Sequence, residues 1–285
     1  MELETHFKAE SEGRDVVRVE MLAVGKELLI GRTLNTNALW IGSRLARMGS
    51  MIKEIVTADD DLLEISTAFR GILARSPDFL VVVGGLGPTP DDMTLKGIAD
   101  GMGVPLRLSG EALEMIRHHY DQRGLKVVLT PARKKMAVLP NGAEPVVNEL
   151  GTAPGVRAVV GDTTVYCLPG VPVEMKNIFR RSVEPEIRLK VGKLSRKYFT
   201  LRLDGVLESE MAPAIKSELR RHPKAYIKSH PKGVREGVSR IELDIAVVDR
   251  NREKADAEAE EVKVEMVKEV AKLGGAVVST RERRG

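Results

Sequence analysis

The apolar positions of the first two thirds of the chain alternate between short strand-like runs and amphipathic stretches. Val16 to Val24, Met51 to Thr57 and Phe79 to Val83 read as strands. Between them the apolar residues recur at helical spacing. Trp40, Ile41, Leu45 and Met48 follow Asn37, which is expected to cap their helix, with Gly49 as its stop. Leu62, Ile65, Phe69 and Leu73 follow Asp59-Asp60-Asp61, where Asp59 is expected as the N-cap. Further helices are predicted over 92–102, 110–123 and 131–138, and through Glu174, Met175, Ile178 and Phe179. Val156 to Val160 and Thr163 to Leu168 flank Gly161-Asp162 as a hairpin. Strands alternating with helices predict an α/β domain of three layers, with a mostly parallel sheet covered on both faces and an antiparallel edge from the hairpin.

The rhythm changes near Gly192. Tyr198 to Leu203 reads as a strand, and Leu207, Met211, Ile215 and Leu219 recur every four residues. Ala225 to Lys228 and Ser239 to Val248 read as strands. Ala255, Ala259, Val262, Met266, Val270 and Leu273 stripe a long charged helix, and Ala276 to Thr280 closes as a strand. That β-α-β-β-α-β order predicts a smaller α+β, ferredoxin-like domain over 193–285. The larger domain is expected over 16–192, preceded by a flexible tail of mixed charge over 1–15.

Composition narrows the function classes. The chain has 285 residues, a length that fits two domains. No run approaches the ~18 apolar residues of a membrane span, and the N-terminus lacks the apolar core of a secretory signal. A cytoplasmic protein without membrane contact is therefore expected. Cys167 lies inside the apolar run Thr164 to Leu168 and reads as a buried, inert thiol. Lys and Arg number 45 against 41 Asp and Glu, and aromatic residues make up only 4%. That mixed surface with few stacking platforms argues against nucleic acid as a partner and leaves a small anionic ligand.

The most informative segment is Val81-Val82-Val83-Gly84-Gly85-Leu86-Gly87-Pro88-Thr89-Pro90-Asp91-Asp92-Met93-Thr94. Glycines at the end of a buried strand admit a ligand to the backbone, and their N–H groups suit phosphate. Carboxylates beside such a cradle repel an anion unless a cation bridges the two. The competing reading is structural: Thr89-x-x-Asp92 also has the form of a capping box with Pro90 at the first helical position. Neither the Gly-x-Gly-x-x-Gly fingerprint nor a P-loop is present, which disfavours a Rossmann dehydrogenase and a P-loop ATPase.

Further small-residue or polar loops should gather with this one at the carboxyl ends of the strands. They are Gly25 to Gly31 with Asn35-Thr36-Asn37, then Thr57 to Asp60, then Leu168 to Glu174, to which Gly151-Thr152-Ala153-Pro154-Gly155 is added. In this order and spacing the set resembles the N-terminal domain of CinA-like (competence/damage-inducible) proteins, a branch of the molybdopterin-binding MoaB/Mog superfamily. The resemblance covers Val16 to Gly192 and is carried chiefly by Gly84-Gly85-Leu86-Gly87-Pro88-Thr89-x-Asp91-Asp92-x-Thr94. The second domain is similar to the family's small middle domain, with Ser229-His230-Pro231-Lys232-Gly233 as its mark. Lys26 departs from the family's usual Thr and brings an extra cation to the site.

The resemblance implies metal-dependent hydrolysis of a nucleotide pyrophosphate: ADP-ribose giving AMP and ribose 5-phosphate, or a related FAD-like dinucleotide. It implies Asp59 and Asp92 as catalytic residues and as ligands of a divalent ion (Mg²⁺, Mn²⁺ or Co²⁺). Gly84, Gly85, Gly87 and Thr89 would hold the diphosphate, with Glu27, Asn37, Gly151, Thr152, Gly170 and Glu174 positioning the substrate. It also implies a homodimer. The nicotinamide-nucleotide deamidase activity of full-length CinA is not expected, because that domain would follow where this sequence ends. Two other classes stay open: a molybdopterin-binding or adenylylating protein, and a non-catalytic nucleotide-binding module.

Overall fold

Residues 17–125, 127–192 and 194–284 are described by a computed structural model; the expected tail over 1–15 lies outside them. The chain divides into two compact units, one ending at Val191 and the other beginning at Gly192. In the first, β1 (Arg18–Val24) leads into a short helix α1 (Lys26–Leu29), then α2 (Thr36–Arg47), β2 (Met51–Ala58), α3 (Leu62–Leu73), β3 (Phe79–Val83) and α4 (Thr94–Met102). There follow β4 (Leu106–Leu108), α5 (Gly110–Asp121), α6 (Pro131–Lys135), β5 (Val138–Pro140), β6 (Glu144–Val146), β7 (Gly155–Val160) and β8 (Thr163–Leu168). Helix α7 (Pro172–Ile178) passes through one π-helical turn, Phe179–Val183, into α8 (Glu184–Val191).

Among the described residues the main sheet has the order β2-β1-β3-β8-β7-β6. Strands β1, β2, β3 and β8 are parallel, and β7 and β6 turn it antiparallel at one edge. The hairpin at Gly161 thus supplies that edge, as its sequence predicts. Leu22, Val24, Leu80 and Val82 pack with Ile65 and Phe69 of α3, Ile98 of α4 and Ile116 of α5. The alternate positions Met21, Ala23 and Val81 are equally buried, so the sheet is covered on its other face too.

Several local expectations change. Asn35, not Asn37, caps α2, its side chain accepting from Ala38 N–H at 3.0 Å. Asp61, not Asp59, caps α3, accepting from Leu63 and Glu64 N–H. Helix α4 begins at Thr94 rather than Asp92, with no side-chain cap. The predicted helix over 131–138 stops at Lys135 because Val138–Pro140 pairs with β4.

The second unit comprises β9 (Ser195–Asp204), α9 (Glu208–Arg221), β10 (Ala225–Arg235), β11 (Val238–Asp249), α10 (Arg252–Lys272) and β12 (Ala276–Arg284). Its sheet order β10-β11-β9-β12, with these neighbours antiparallel, is the ferredoxin-like arrangement. The core joins Phe199, Leu201 and Leu203 to Val262, Met266 and Val270 of α10.

Candidate active site

The first unit's parallel strands end on one side of the sheet, and there the loops enclose a cleft of about 300 Å³. Its walls come from Glu27, Asn37, Gly84, Gly85, Asp92 and Gly170 of the predicted set, together with Asp60 and Asp91. The glycines are there for space. Gly84 has φ +111°, and a Cβ on it would collide with the Val24 carbonyl oxygen. Gly85 has φ +64°, and a Cβ there would collide with the Thr94 hydroxyl, which donates to the Gly84 carbonyl at 2.8 Å. The loop is therefore locked against the first turn of α4, and only glycine fits the lock.

Asp92 lies two residues ahead of that helix, so it neither caps it nor sits in its first turn. Its Oδ2 instead accepts from the Thr89 N–H at 2.8 Å and from the Thr89 hydroxyl, closing the loop on itself. The capping-box expectation is met only in the Thr89 N–H bond to the Asp92 carboxylate: the Thr89 hydroxyl donates to that carboxylate instead of accepting from the Asp92 N–H, and no helix starts there. Lys135 from α6 donates to the Thr89 carbonyl and tethers the loop's outer side.

Asp59 stands at the end of β2. Its Oδ1 accepts from Asp60 N–H at 2.7 Å, and Lys26 Nζ pairs with its Oδ2 at 3.2 Å. The Asp60 N–H and then the Lys26 ammonium hold the Asp59 carboxyl below the usual carboxylate range. Asp60 is pushed the opposite way: burial raises it, as do the charges of Glu27, Asp59 and Asp91, against a hydrogen bond from Lys26 N–H. Two adjacent half-buried aspartates are thus split in character, one ion-paired to Lys26, the other facing the cleft. Sequence reasoning missed Asp60 because a run of three aspartates does not say which one turns inward.

Asn37 is set by long-range contact. Its Nδ2 donates to the Gly170 carbonyl at 2.8 Å, which ties α2 to the turn before α7. Its Oδ1 is buried and without a partner among the described residues, an acceptor free to receive a ligand hydroxyl or amine. Of the predicted site residues, Asp59, Thr89, Gly151, Thr152 and Glu174 are not among those lining the cleft. Glu174 accepts from Asn148 Nδ2 at 2.7 Å, and its carboxylate fills the place a Cβ on Gly151 would take. That pair braces the 148–154 turn, while Thr152 faces a separate cleft beside His118 and His119. Gly87 faces the far side of the glycine loop.

Among the described residues no group of three or more His, Cys, Asp or Glu side chains is arranged to hold a metal ion. What the cleft offers suits an ion held by one or two carboxylates with the remaining positions filled by substrate phosphate and water, which is how Mg²⁺ is commonly bound.

Over residues 20–189 the chain matches the family described as a probable molybdopterin binding domain. It is 40% identical to a protein of Pyrobaculum arsenaticum over 262 residues, 91% of this chain and 97% of that one. It is also 40% identical to a protein of Aeropyrum pernix over 260 residues, 91% of this chain and 96% of that one. Among solved structures it is similar to the protein CinA of Thermoplasma acidophilum, described as of unknown function. There the identity is 44% and the TM-score 0.55, over 60% of this chain and 98% of that one.

Proposed function

Because this chain belongs to the family of the probable molybdopterin binding domain, in its CinA-like branch, we propose that the cleft binds a nucleotide diphosphate and hydrolyses its phosphoanhydride bond. The observation that carries the reading is the pairing of a glycine-lined backbone cradle with Glu27, Asp60, Asp91 and Asp92 in one cleft. Clustered carboxylates beside an anion site are electrostatically unfavourable unless a cation shares the site.

The roles follow from position. The backbone of Gly84 and Gly85 lines the cleft and would receive the diphosphate. The free Oδ1 of Asn37 accepts from a sugar hydroxyl or base amine and fixes the nucleoside. Asp92, held in place by Thr89, would hold a share of the divalent ion and orient the attacking water. Asp59, beside the cleft and not in its lining, would be the second carboxylate for that ion, with Lys26 neutralising it when the ion is away. When bound, the ion would polarise the phosphoryl oxygens and lower the pKa of a coordinated water.

The test is a turnover screen over ADP-ribose, FAD, NAD, diadenosine diphosphate and ATP, with and without Mg²⁺ or Mn²⁺, reading AMP by chromatography. Metal-dependent AMP release from at least one diphosphate supports the reading; none from any of them overturns it. A second reading has the family description behind it: the same cleft holding a pterin phosphate or its adenylate as a molybdopterin-binding or adenylylating protein. A fluorescent pterin carried through purification would favour that reading.

A further inference from the structure

The helices of the second unit cover one face of its sheet. Phe199, Leu201, Ile227, Leu243 and Ile245 join Met211 of α9 and Met266 of α10 in the core on that side. The alternate residues point the other way, and the strand register sets them in rows. Tyr226 of β10, Ala246 of β11 and Tyr198 of β9 form one row. Lys228, Asp244, Thr200 and Arg281 form the next, and His230, Glu242 and Arg202 the one after. Tyr226 is 52% exposed, and Lys228, Arg202 and Arg281 are exposed as well. Ala246 puts only a methyl group between the two tyrosines, whose strands lie about 10 Å apart. The Arg196 guanidinium stacks on the Tyr198 ring, 5.6 Å from its centre. Both carboxylates of these rows are engaged: Glu242 pairs with Lys232 at 2.9 Å and Arg202 at 3.0 Å, and Asp244 accepts from the Thr200 hydroxyl at 2.8 Å and faces His230 at 3.3 Å.

We propose that this sheet face binds single-stranded nucleic acid, with bases stacked on the two tyrosines and phosphates held by the cations of the adjoining rows. A sheet face bearing aromatic rings takes unpaired bases by stacking, and neighbouring cations track the backbone. A guanidinium plane also stacks on bases, so Arg196 extends the platform that Tyr198 begins. A duplex keeps its base faces stacked inside and offers the rings nothing. An acidic peptide would meet the cations but leave the tyrosines unused. The near-balance of 45 basic and 41 acidic residues over the whole chain argues against such a partner, but the charges are not evenly spread. On this face Lys228, Lys232, Arg202 and Arg281 stand against Asp244 and Glu242. Aromatic residues are few overall, yet two of the chain's 4 tyrosines share one row here. The surface is thus a local feature that composition averages away, and it is independent of the cleft in the first unit.

The test is fluorescence anisotropy of the full chain in EDTA with labelled oligouridylate and oligoadenylate of about eight nucleotides, within the site size of a single domain. Oligodeoxyadenylate, a duplex of the same length and polyglutamate are the comparison probes. Saturable binding of the single strands is expected, at least tenfold tighter than of the duplex or polyglutamate. With about three phosphates neutralised, affinity should fall about twentyfold between about 50 and 200 mM salt. The Lys228→Gln/Arg281→Gln double variant removes two of those charges and should bring this salt effect down to about threefold. Tyr226→Ala should weaken binding at least fivefold at every salt concentration, by loss of one stacked base. Tyr226, Lys228 and Arg281 are exposed, so the fold should survive these changes, which circular dichroism checks. Tighter binding of oligoadenylate than of its deoxy counterpart would identify the ligand as RNA, and equal binding as either single strand. Excess ADP-ribose should leave oligonucleotide binding unchanged; displacement by it would put the oligonucleotide in the first unit's cleft and overturn the proposal. Absence of saturable binding at low salt, duplex or polyglutamate bound as tightly as the single strands, or a Tyr226→Ala variant that binds as the parent does would also overturn it.

Discussion

Replacing Asp92 with Asn separates loop closure from chemistry. Among the described residues its carboxylate is held by Thr89, through one N–H at 2.8 Å and one hydroxyl. Asn keeps the shape and an acceptor oxygen but loses the charge. Hydrogen bonds to a charged group contribute about 1.5–3 kcal/mol and neutral ones about 0.5–1.5. The structural cost of the change is therefore on the order of 1 kcal/mol, less with the solvent screening of a partly exposed loop. As Asp92 lies ahead of α4, no helix-dipole contribution adds to this. If Asp92 holds the ion or orients water, turnover at saturating substrate should fall a hundredfold or more, because a hard cation needs the anion. Thr89→Val is the control: it removes the hydroxyl donor and leaves the Asp92 charge. Loop closure alone makes the two variants alike in stability and in turnover. Chemistry makes them alike in stability and far apart in turnover. Denaturant unfolding and AMP release measure both quantities, and near-normal turnover of Asp92→Asn at saturating Mg²⁺ would refute the catalytic assignment.

Other consequences are open to measurement. Lys26→Met should raise the Asp59 titration toward the ordinary carboxylate value yet leave it depressed, because the Asp60 N–H bond remains; carboxyl carbon NMR reads this directly. In the same variant nucleotide-dependent Mg²⁺ binding should weaken if Lys26 shapes the site and tighten if it only competes for Asp59; the account here, with Lys26 as a stand-in cation, requires tightening. Burial acts to raise the Glu184 carboxyl, but its pairs with Arg44 and Arg188 outweigh this and hold it below its usual value. A depressed folded-state value stabilises above the unfolded pKa near 4.5 and is lost as pH falls through the lower folded value. Glu184→Gln should therefore cost about 1–3 kcal/mol at pH 7 and progressively less below pH 4, by denaturant unfolding. Gly84→Ala should destabilise by more than about 3 kcal/mol or fail to fold, since the clash is with backbone and φ is +111°; a soluble variant within 1 kcal/mol of the parent, a margin typical of ordinary surface changes, would contradict the packing described.

Periodicity carried most of the architecture because the strands are buried on both faces and the helices on one. Leu62, Ile65, Phe69 and Leu73 announce α3, and Val81 to Gly84 announce the strand and its loop. The glycines stood out in the sequence as a ligand cradle, whereas the structure requires glycine at 84 and 85 for packing: no side chain fits against Val24 or Thr94. Capping was less legible where candidates stand side by side. Asn35 and Asn37 are equal on paper, and the choice falls to Asn35 because Asn37 is drawn to the Gly170 carbonyl, 133 residues away. Among Asp59, Asp60 and Asp61, the lysine at position 26 takes the first, the cleft the second and the helix the third. The family resemblance implies Glu174 as a ligand-positioning residue; in the structure its carboxylate meets Asn148 and the bare backbone at Gly151. The cavity on the far side of the glycine loop left no trace in sequence, since Leu108, Lys134 and Val138 of its lining meet that loop only once β4 and β5 have paired.

The proposed reaction is the cleavage of a phosphoanhydride bond by water in the carboxylate-lined cleft. Its most direct test follows ³¹P NMR of FAD and of ADP-ribose with the full chain and Mg²⁺ in water half enriched in ¹⁸O. The account predicts that the diphosphate signals give way to two monophosphates, one of them split by the isotope, and that EDTA stops the reaction. Diphosphate signals that persist unchanged with both compounds at stoichiometric protein would contradict it.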